Sequence, residues 1–358
     1  MMKKVSVVIG RFNAPHIGHF ELFNEAWKNS DYLIICIGSH NAAKSSKNLL
    51  STKEISDLIS LYYCNNIHIK FCYIQDDLYS DLAWSLQIEK EVNKTIKLLT
   101  NEECSVTLHG HHKDFTSDYL NWFPKWQYKE LDSHATEHGI YHATDFRNQV
   151  LSFGEYDTTR ETYFKHIINK FQPKNIQQAM LNLLLDKCDN GELYWLAEEH
   201  NYYKKYKESY SVLPYPPVFV TCDSFVYCKG HILVIKRKNS PGKGLLALAG
   251  GFIEQNETVK DGIIRELKEE TNIDVSVEVL KKSIQFIRMY DAPTRSLRGR
   301  TITHCGFIYL NLKELPKCVA DDDAETANWM PIKDIHTKQN LFFEDHHHII
   351  TDMIRSLA

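Results

Sequence analysis

Two short apolar runs near the start, KVSVVIG (4–10) and YLIICIG (32–38), each end in glycine. Between them FELFNEAWKNS (20–30) sets Phe20, Phe23, Ala26 and Trp27 at helical spacing. A strand apolar on both faces, a helix and a second such strand leave essentially one arrangement: a parallel pair with the helix packed across it. KEISDLISLYY (53–63), IHIKFCYI (67–74), DLAWSLQIEKEVNKTIKLLT (81–100) and SVTLHG (105–110) continue the alternation. The order predicts an α/β doubly wound parallel sheet, whose ligands sit beyond the carboxyl ends of the strands.

That pattern does not last. From about residue 164 to 210 the sequence reads as helix. A proline cluster (Pro214, Pro216, Pro217) then precedes two apolar runs that turn at Lys229-Gly230, as a hairpin does. A chain of 358 residues suggests about two domains. The composition shift divides them at residue 212, giving 1–212, which ends in a helical segment, and 213–358. A net charge of −4 argues against broad attraction to nucleic acid or membrane. Nine scattered cysteines, none in a C-x-x-C pair, fit reduced thiols. The first apolar stretch is too short for a signal peptide, and no run has the length of a membrane span. The expectation is a soluble cytoplasmic protein.

The second half holds GGFIEQNETVKDGIIRELKEETNI (250–273). Thr258 and Asp261 form a capping-box signature, so a helix begins there. On it Ile263, Ile264 and Leu267 make an apolar stripe, and Glu266, Glu269 and Glu270 stand together on the neighbouring face. Three adjacent carboxylates repel unless a hard divalent cation joins them. Read as G-x5-E-x7-R-E-U-x-E-E, the segment resembles the Nudix box. Asn272 stands where that family usually has glycine, and asparagine tolerates the same left-handed backbone. The resemblance implies a Nudix α/β/α sandwich with a mixed sheet, and Mg²⁺ or Mn²⁺ as cofactor. It implies Glu266 and Glu270 as ligands, with Glu269 and Gly251 also at the metal, and an Arg265–Glu257 pair that sets the loop. Glu269 and Glu270 are the catalytic expectations. The general base stays open, with Glu325 one candidate.

DAPTRSLRGRTITH (291–304) carries Arg295, Arg298 and Arg300, suited to neutralise a diphosphate or stack on a base, or else a solvated loop. With ADDDAETANWMP after it, the segment is similar to those of ADP-ribose pyrophosphatases, which makes the three arginines candidate ADP-ribose contacts.

The first half adds GRFNAPHIGH (10–19), straight after the first strand. The start of a helix favours anions, and His16, His19 and Arg11 add donors around Gly18. Two histidines at this spacing are also compatible with zinc. H-x-G-H after such a strand resembles the nucleotidylyltransferase signature, and the longer stretch resembles nicotinamide mononucleotide (NMN) adenylyltransferases, with proline one place nearer the first histidine. The resemblance implies a Rossmann-like nucleotidylyltransferase domain with His16, His19 and Arg147 catalytic. Gly10, Arg11, Phe12, Gly18, Lys44, Trp84, Gly110 and Thr144 would bind ATP or NMN. Lys44 and Lys47 suit ATP phosphates, and Trp84 is either a core aromatic or a wall for the nicotinamide ring. HATDFRN (142–148) places Thr144 and Arg147 at a helix start, while the clustered His109, His111 and His112 complete no metal set. Glu54 stands where the family tends to have arginine.

Together the two halves are similar to the bifunctional NMN adenylyltransferase/Nudix hydrolase family. The expected ligands are small nucleotides (ATP, NMN, NAD and ADP-ribose), without nucleic acid or membrane, and a homo-oligomer stays open. Two rivals remain: other substrates on the same folds, or a Nudix-based nucleotide sensor. The sensor reading lacks a basic DNA-reading module.

Overall fold

The computed structural model describes residues 2–110, 119–130, 141–155 and 159–356. The chain divides into two compact units, Met1–His200 and Asn201–Ala358.

Unit 1 begins β1 (Lys3–Gly10), α1 (Ile17–Trp27), β2 (Tyr32–Ile37), α2 (Thr52–Tyr62), β3 (Ile69–Tyr73), α3 (Asp81–Leu99) and β4 (Cys104–Gly110). It continues with β5 (Gln127–Glu130), α4 (Ala143–Leu151), α5 (Arg160–Phe171), α6 (Gln177–Asp189) and α7 (Glu192–Ser209). Among the described residues the strands form one parallel sheet in the order β3-β2-β1-β4-β5. The sheet has apolar packing on both faces, which is why its strands read as continuous apolar runs. Val5, Val7 and Ile9 join one cluster, with Ile88 and Val92 of α3. Val8, on the alternate face, joins the other, with Phe20 and Phe23 of α1. Strand order reverses at β1/β4, so a ligand crevice lies beyond Gly10 and Gly110. β5 was not anticipated, because all four of its residues are exposed and carry no apolar signal.

The helices after residue 143 are part of this unit's core: Phe146, Phe164, Phe171, Leu184 and Leu196 share a cluster with Val8 and Phe23. The break between units falls within α7, ahead of the expected boundary at 212. Past the break, Tyr206 and Tyr210 pack edge-on against Phe219 at 5.7 and 5.6 Å, and this holds the end of the helix in unit 2.

Unit 2 contains β6 (Val218–Cys228), β7 (His231–Arg237), β8 (Leu246–Ala247), β9 (Ala249–Phe252), α8 (Val259–Thr271) and α9 (Val277–Ser283). It closes with β10 (Ile284–Tyr290), β11 (Arg300–Tyr309), β12 (Ala324–Pro331), α10 (Ile332–Ile335) and α11 (His346–Arg355). The sheet order is β10-β11-β6-β7-β12, with β8 beside β7 and β9 beside β6. β6 and β11 run parallel while the other pairs are antiparallel, which makes the sheet mixed. The β6–β7 turn is the expected one, with both Lys229 and Gly230 at positive φ. α8 starts at its expected N-cap, where the Thr258 side chain accepts from the Asp261 N–H at 3.2 Å; the Asp261 carboxylate accepts from the Thr258 hydroxyl at 2.6 Å instead of from the backbone N–H that a full capping box would use. It ends on Asn272 in the left-handed conformation (φ 39°). Ile263, Ile264 and Leu267 bury against Cys222, Val226 and Ile308 of the sheet; of the glutamates, Glu270 is buried as well, Glu266 is half-buried and Glu269 is exposed.

Candidate active sites

In unit 1 the turn after β1 brings two imidazoles together. His16 precedes α1, and His19 Nδ1 accepts from the His16 backbone N–H at 3.2 Å. Their rings stack with centroids 3.7 Å apart, and the Phe12 ring packs edge-on against His19 at 5.2 Å. A Cβ on Gly10 would lie 2.7 Å from the Phe12 ring, so only glycine fits where that ring folds back. Asn13, which sequence reasoning missed, ties this turn to the loop after β2: its side chain donates to Leu50 O at 2.6 Å and accepts from Leu50 N at 3.0 Å.

Arg147 reaches the same place from α4. It donates to Ser46 O at 3.0 Å, to Thr144 Oγ1 at 3.0 Å and to Asn13 O. Burial and then the charge of Arg11 lower its pKa to about 10. Two guanidiniums forced near one another beside a helix start describe a site built for anion charge.

Lys44, on the same loop, pairs with Glu192 at the start of α7. Glu192 also takes Lys187 at 2.7 Å, and the buried Lys187 takes Glu54 at 2.8 Å. This explains the departure at Glu54, which caps α2 by accepting from Ser51 N and neutralises a buried lysine from α6. Trp84 is half-buried, edge-on to Tyr119 at 5.7 Å and to Trp122 at 5.8 Å. The Tyr119 hydroxyl donates to Ile9 O at 3.3 Å, which brings this aromatic group to the end of β1. On Gly110 the space for a Cβ is taken by Leu120 at 2.8 Å, so this glycine serves close packing. His109 is buried against Ser6, and burial lowers its pKa to about 4, which keeps it neutral and out of a charged site. His111 and His112 lie outside the described residues.

In unit 2, Arg265 organises the acidic helix. It holds Glu257 through Nε (3.0 Å) and Nη2 (2.6 Å), and through Nη1 it holds Glu266 (2.9 Å) and Glu269 (2.8 Å). The pairing lowers the Glu257 pKa and raises that of Arg265. Glu270 is buried and accepts from Gly250 N at 2.8 Å. Burial raises its pKa to about 8, and nearby Glu266 and Asp223 push the same way. Burial likewise raises Glu266. A Cβ on Gly251 would lie 2.5 Å from the Glu266 carboxylate, so the backbone of that loop is pressed onto the acidic face. As they stand, Glu266 and Glu269 are turned onto Arg265, and among the described residues no trio of His, Cys, Asp or Glu is closed around a cation position. The donor set nevertheless fits a hard divalent ion. It is all oxygen and crowded, and in Glu270 it includes a carboxyl whose pKa burial raises, so that a bound cation would favour its charged form.

The comparisons match both of the units that carry these constellations. The NUDIX domain family covers residues 222–353, and the cytidylyltransferase-like family covers residues 7–131. An ADP-ribose pyrophosphatase of Methanocaldococcus jannaschii is 36% identical over 152 residues, 42% of this chain and 81% of that protein. A nicotinamide/nicotinic acid mononucleotide adenylyltransferase of Acinetobacter baylyi is 31% identical over 128 residues, 36% of this chain and 66% of that one. A crystal structure of a bifunctional NMN adenylyltransferase/ADP ribose pyrophosphatase from Francisella tularensis, complexed with AMP and a manganese ion, aligns over 100% of both chains with a TM-score of 0.86 and 32% identity. The chain belongs to this bifunctional family.

Within this family member the sequence-predicted residues are only partly gathered. His16, His19, Gly10, Phe12, Arg11, Thr144 and Arg147 converge around the turn after β1. Glu266, Glu269 and Glu270 stand in the C-terminal half of the acidic helix, with Gly251 pressed against Glu266. The arginine trio is divided. Arg295 is buried in a two-bond pair with Asp345, at 2.9 Å through both Nε and Nη2. Arg300 is tied to Asp291, and Arg298 lies over the Phe252 ring at 5.3 Å. Glu325 is exposed on β12 and paired with Lys236 at 3.0 Å. Sequence reasoning also missed Asp223, a buried carboxylate on β6 that accepts from Thr303 Oγ1 at 2.5 Å and whose pKa burial raises. Its signal was a lone aspartate in an apolar strand. No helix among the described residues is long and apolar enough to cross a membrane.

Proposed function

We propose that unit 1 transfers AMP from ATP to NMN, releasing pyrophosphate and forming NAD, and that unit 2 hydrolyses ADP-ribose to AMP and ribose 5-phosphate. The observation that carries the reading is the full-length match to a bifunctional relative, with a built anion site in one unit and a built carboxylate site in the other. In the transfer, an oxygen of the NMN phosphate attacks the α-phosphorus in line and the pyrophosphate oxygen leaves. No protein nucleophile is required, so the residues act by holding and neutralising. His16 and His19 face the triphosphate from the start of α1. Arg147 and Arg11 supply fixed charge, and Lys44 exchanges Glu192 for phosphate. Trp84, with Tyr119 and Trp122, makes the wall for the nicotinamide ring.

In the hydrolysis, Glu266, Glu269 and Glu270, with Gly251 beside them, would hold Mg²⁺ or Mn²⁺, in place of the Arg265 contacts that Glu266 and Glu269 make here. A divalent ion bound there supplies charge neutralisation at the diphosphate and an activated water. Glu257 keeps Arg265 beside the helix, and Gly250 orients Glu270 through its N–H. Both products of hydrolysis are fragments of NAD, so one chain would make the dinucleotide and dispose of its debris.

The test is direct. The purified chain is incubated with ATP, Mg²⁺ and NMN and, separately, with ADP-ribose and Mg²⁺, and products are separated by chromatography. NAD in the first and AMP with ribose 5-phosphate in the second support the reading. Absence of NAD from folded protein overturns the acceptor assignment, and intact ADP-ribose overturns the hydrolase assignment.

A further inference from the structure

We infer that Phe252 and Arg298 form a stacking platform for the purine base of the diphosphate substrate in unit 2; this rests on the hydrolase reading above. Phe252 ends β9, directly after Gly250-Gly251, and is 42% exposed. An exposed aromatic ring is costly to leave in water, and here the guanidinium of Arg298 already lies over it, 5.3 Å from the centroid. Behind it the ring is braced: Phe219 meets Phe252 edge-on at 5.9 Å, and Tyr206 near the end of α7 and Tyr210 just after it back Phe219 in turn.

The loop that presents Arg298 is held at several points. The Arg298 N–H donates to Ser296 Oγ at 3.3 Å, and its carbonyl accepts from the Tyr210 hydroxyl. Ser296 Oγ and Leu297 N both donate to Glu344 Oε1, at 2.9 and 3.0 Å. One residue further back, Arg295 is locked to Asp345. Glu344 sits at φ 42°, a conformation that a non-glycine residue keeps only where its surroundings impose it. So many ties on one short loop fix a planar cation against a planar ring.

Position separates a base from a phosphate as the occupant. Arg265, which holds Glu266 and Glu269, also donates to the Phe252 carbonyl at 3.1 Å. The platform therefore begins one residue beyond the glycine that touches the acidic helix. A diphosphate at the glutamates would place its ribose across this step and its base on the ring. The phenyl face offers no donor to a phosphate, whereas a flat heteroaromatic base gains from both the ring and the guanidinium. The aromatic end of α7 thus contributes to substrate choice as well as to packing.

The experiment reads hydrolysis alone, so the nucleotide site of unit 1 does not interfere. KM and kcat for ADP-ribose are measured for the unaltered chain, Phe252→Ala and Phe252→Trp, together with inhibition constants of AMP and of ribose 5-phosphate. The two inhibitors share a ribose 5′-phosphate and differ in the base. For Phe252→Ala the expected result is a rise of about tenfold in both KM and the AMP inhibition constant. Its kcat and ribose 5-phosphate inhibition constant should stay within about twofold, and Phe252→Trp should restore binding. An AMP constant unchanged in Phe252→Ala overturns the platform, as does equal weakening of both inhibitors. No turnover of ADP-ribose by the unaltered chain overturns the hydrolase reading first, and the platform with it.

Discussion

Replacing Asp345 with asparagine separates anchoring from substrate contact at Arg295. The two side chains are 1% and 4% exposed, and both bonds between them are 2.9 Å. Removing one partner of a buried ion pair costs about 3–5 kcal/mol, because the other charge is left without compensation. Two features place the expected loss at the lower end. Asparagine keeps one acceptor oxygen, and the Asp223 carboxylate lies within electrostatic reach of Arg295, which favours its charged form. A loss of about 3 kcal/mol, with a urea dependence of about 2 kcal/mol per M, lowers the unfolding midpoint by about 1.5 M. The assay is loss of ADP-ribose hydrolysis across a urea series, which follows unit 2 alone. The double variant Arg295→Met/Asp345→Leu removes both charges and should recover more than half of the loss while retaining hydrolysis. An unchanged midpoint in Asp345→Asn, with a raised KM, would refute the anchoring argument and return Arg295 to the substrate.

Other expectations follow from the two sites. His19→Ala should lower NAD synthesis by about 100-fold or more and leave hydrolysis unchanged, in parallel assays on one preparation; equal loss of both would sink the two-site assignment. Glu269→Gln or Glu270→Gln should lower hydrolysis by a similar factor and spare NAD synthesis. Burial lowers the pKa of His109, in unit 1, to about 4, below the ordinary histidine value. Unfolded unit 1 therefore binds more protons between pH 6.5 and that value, and the stability of unit 1, followed by loss of NAD synthesis, should fall as pH drops through that window. Urea midpoints at pH 7 and pH 5 check this, and a stability that rises on acidification would contradict it.

Much of this architecture is written locally. The glycine-ended apolar runs specify parallel strands because a sheet buried on both faces accepts little else. The three glutamates of 266–270 mark their site because helical spacing alone places them side by side. Asn272 at φ 39° shows that a departure from the family pattern was harmless for the backbone reason legible in the residue itself. The histidines of the first turn are likewise neighbours in sequence, so their stacking needs only the helix start.

What the sequence left undetermined depends on partners far away along the chain. Glu54 reads as a lost arginine until Lys187, over a hundred residues later, is seen buried against it. The three arginines of 295–300 look equivalent as text, yet Asp345 buries one, Asp291 ties down another and Phe252 carries the third. The tail segment FFEDHHHII reads as an acidic, histidine-rich end, whereas Glu344, Asp345 and His346 fix the Arg295–Arg298 loop and the Leu248 N–H. A charge acquires its role from what desolvates and pairs it, and those groups come from separate strands and loops. Spacing along one helix or one turn carried the chemistry of each site; only the folded chain decided which charges face the substrate and which hold the walls.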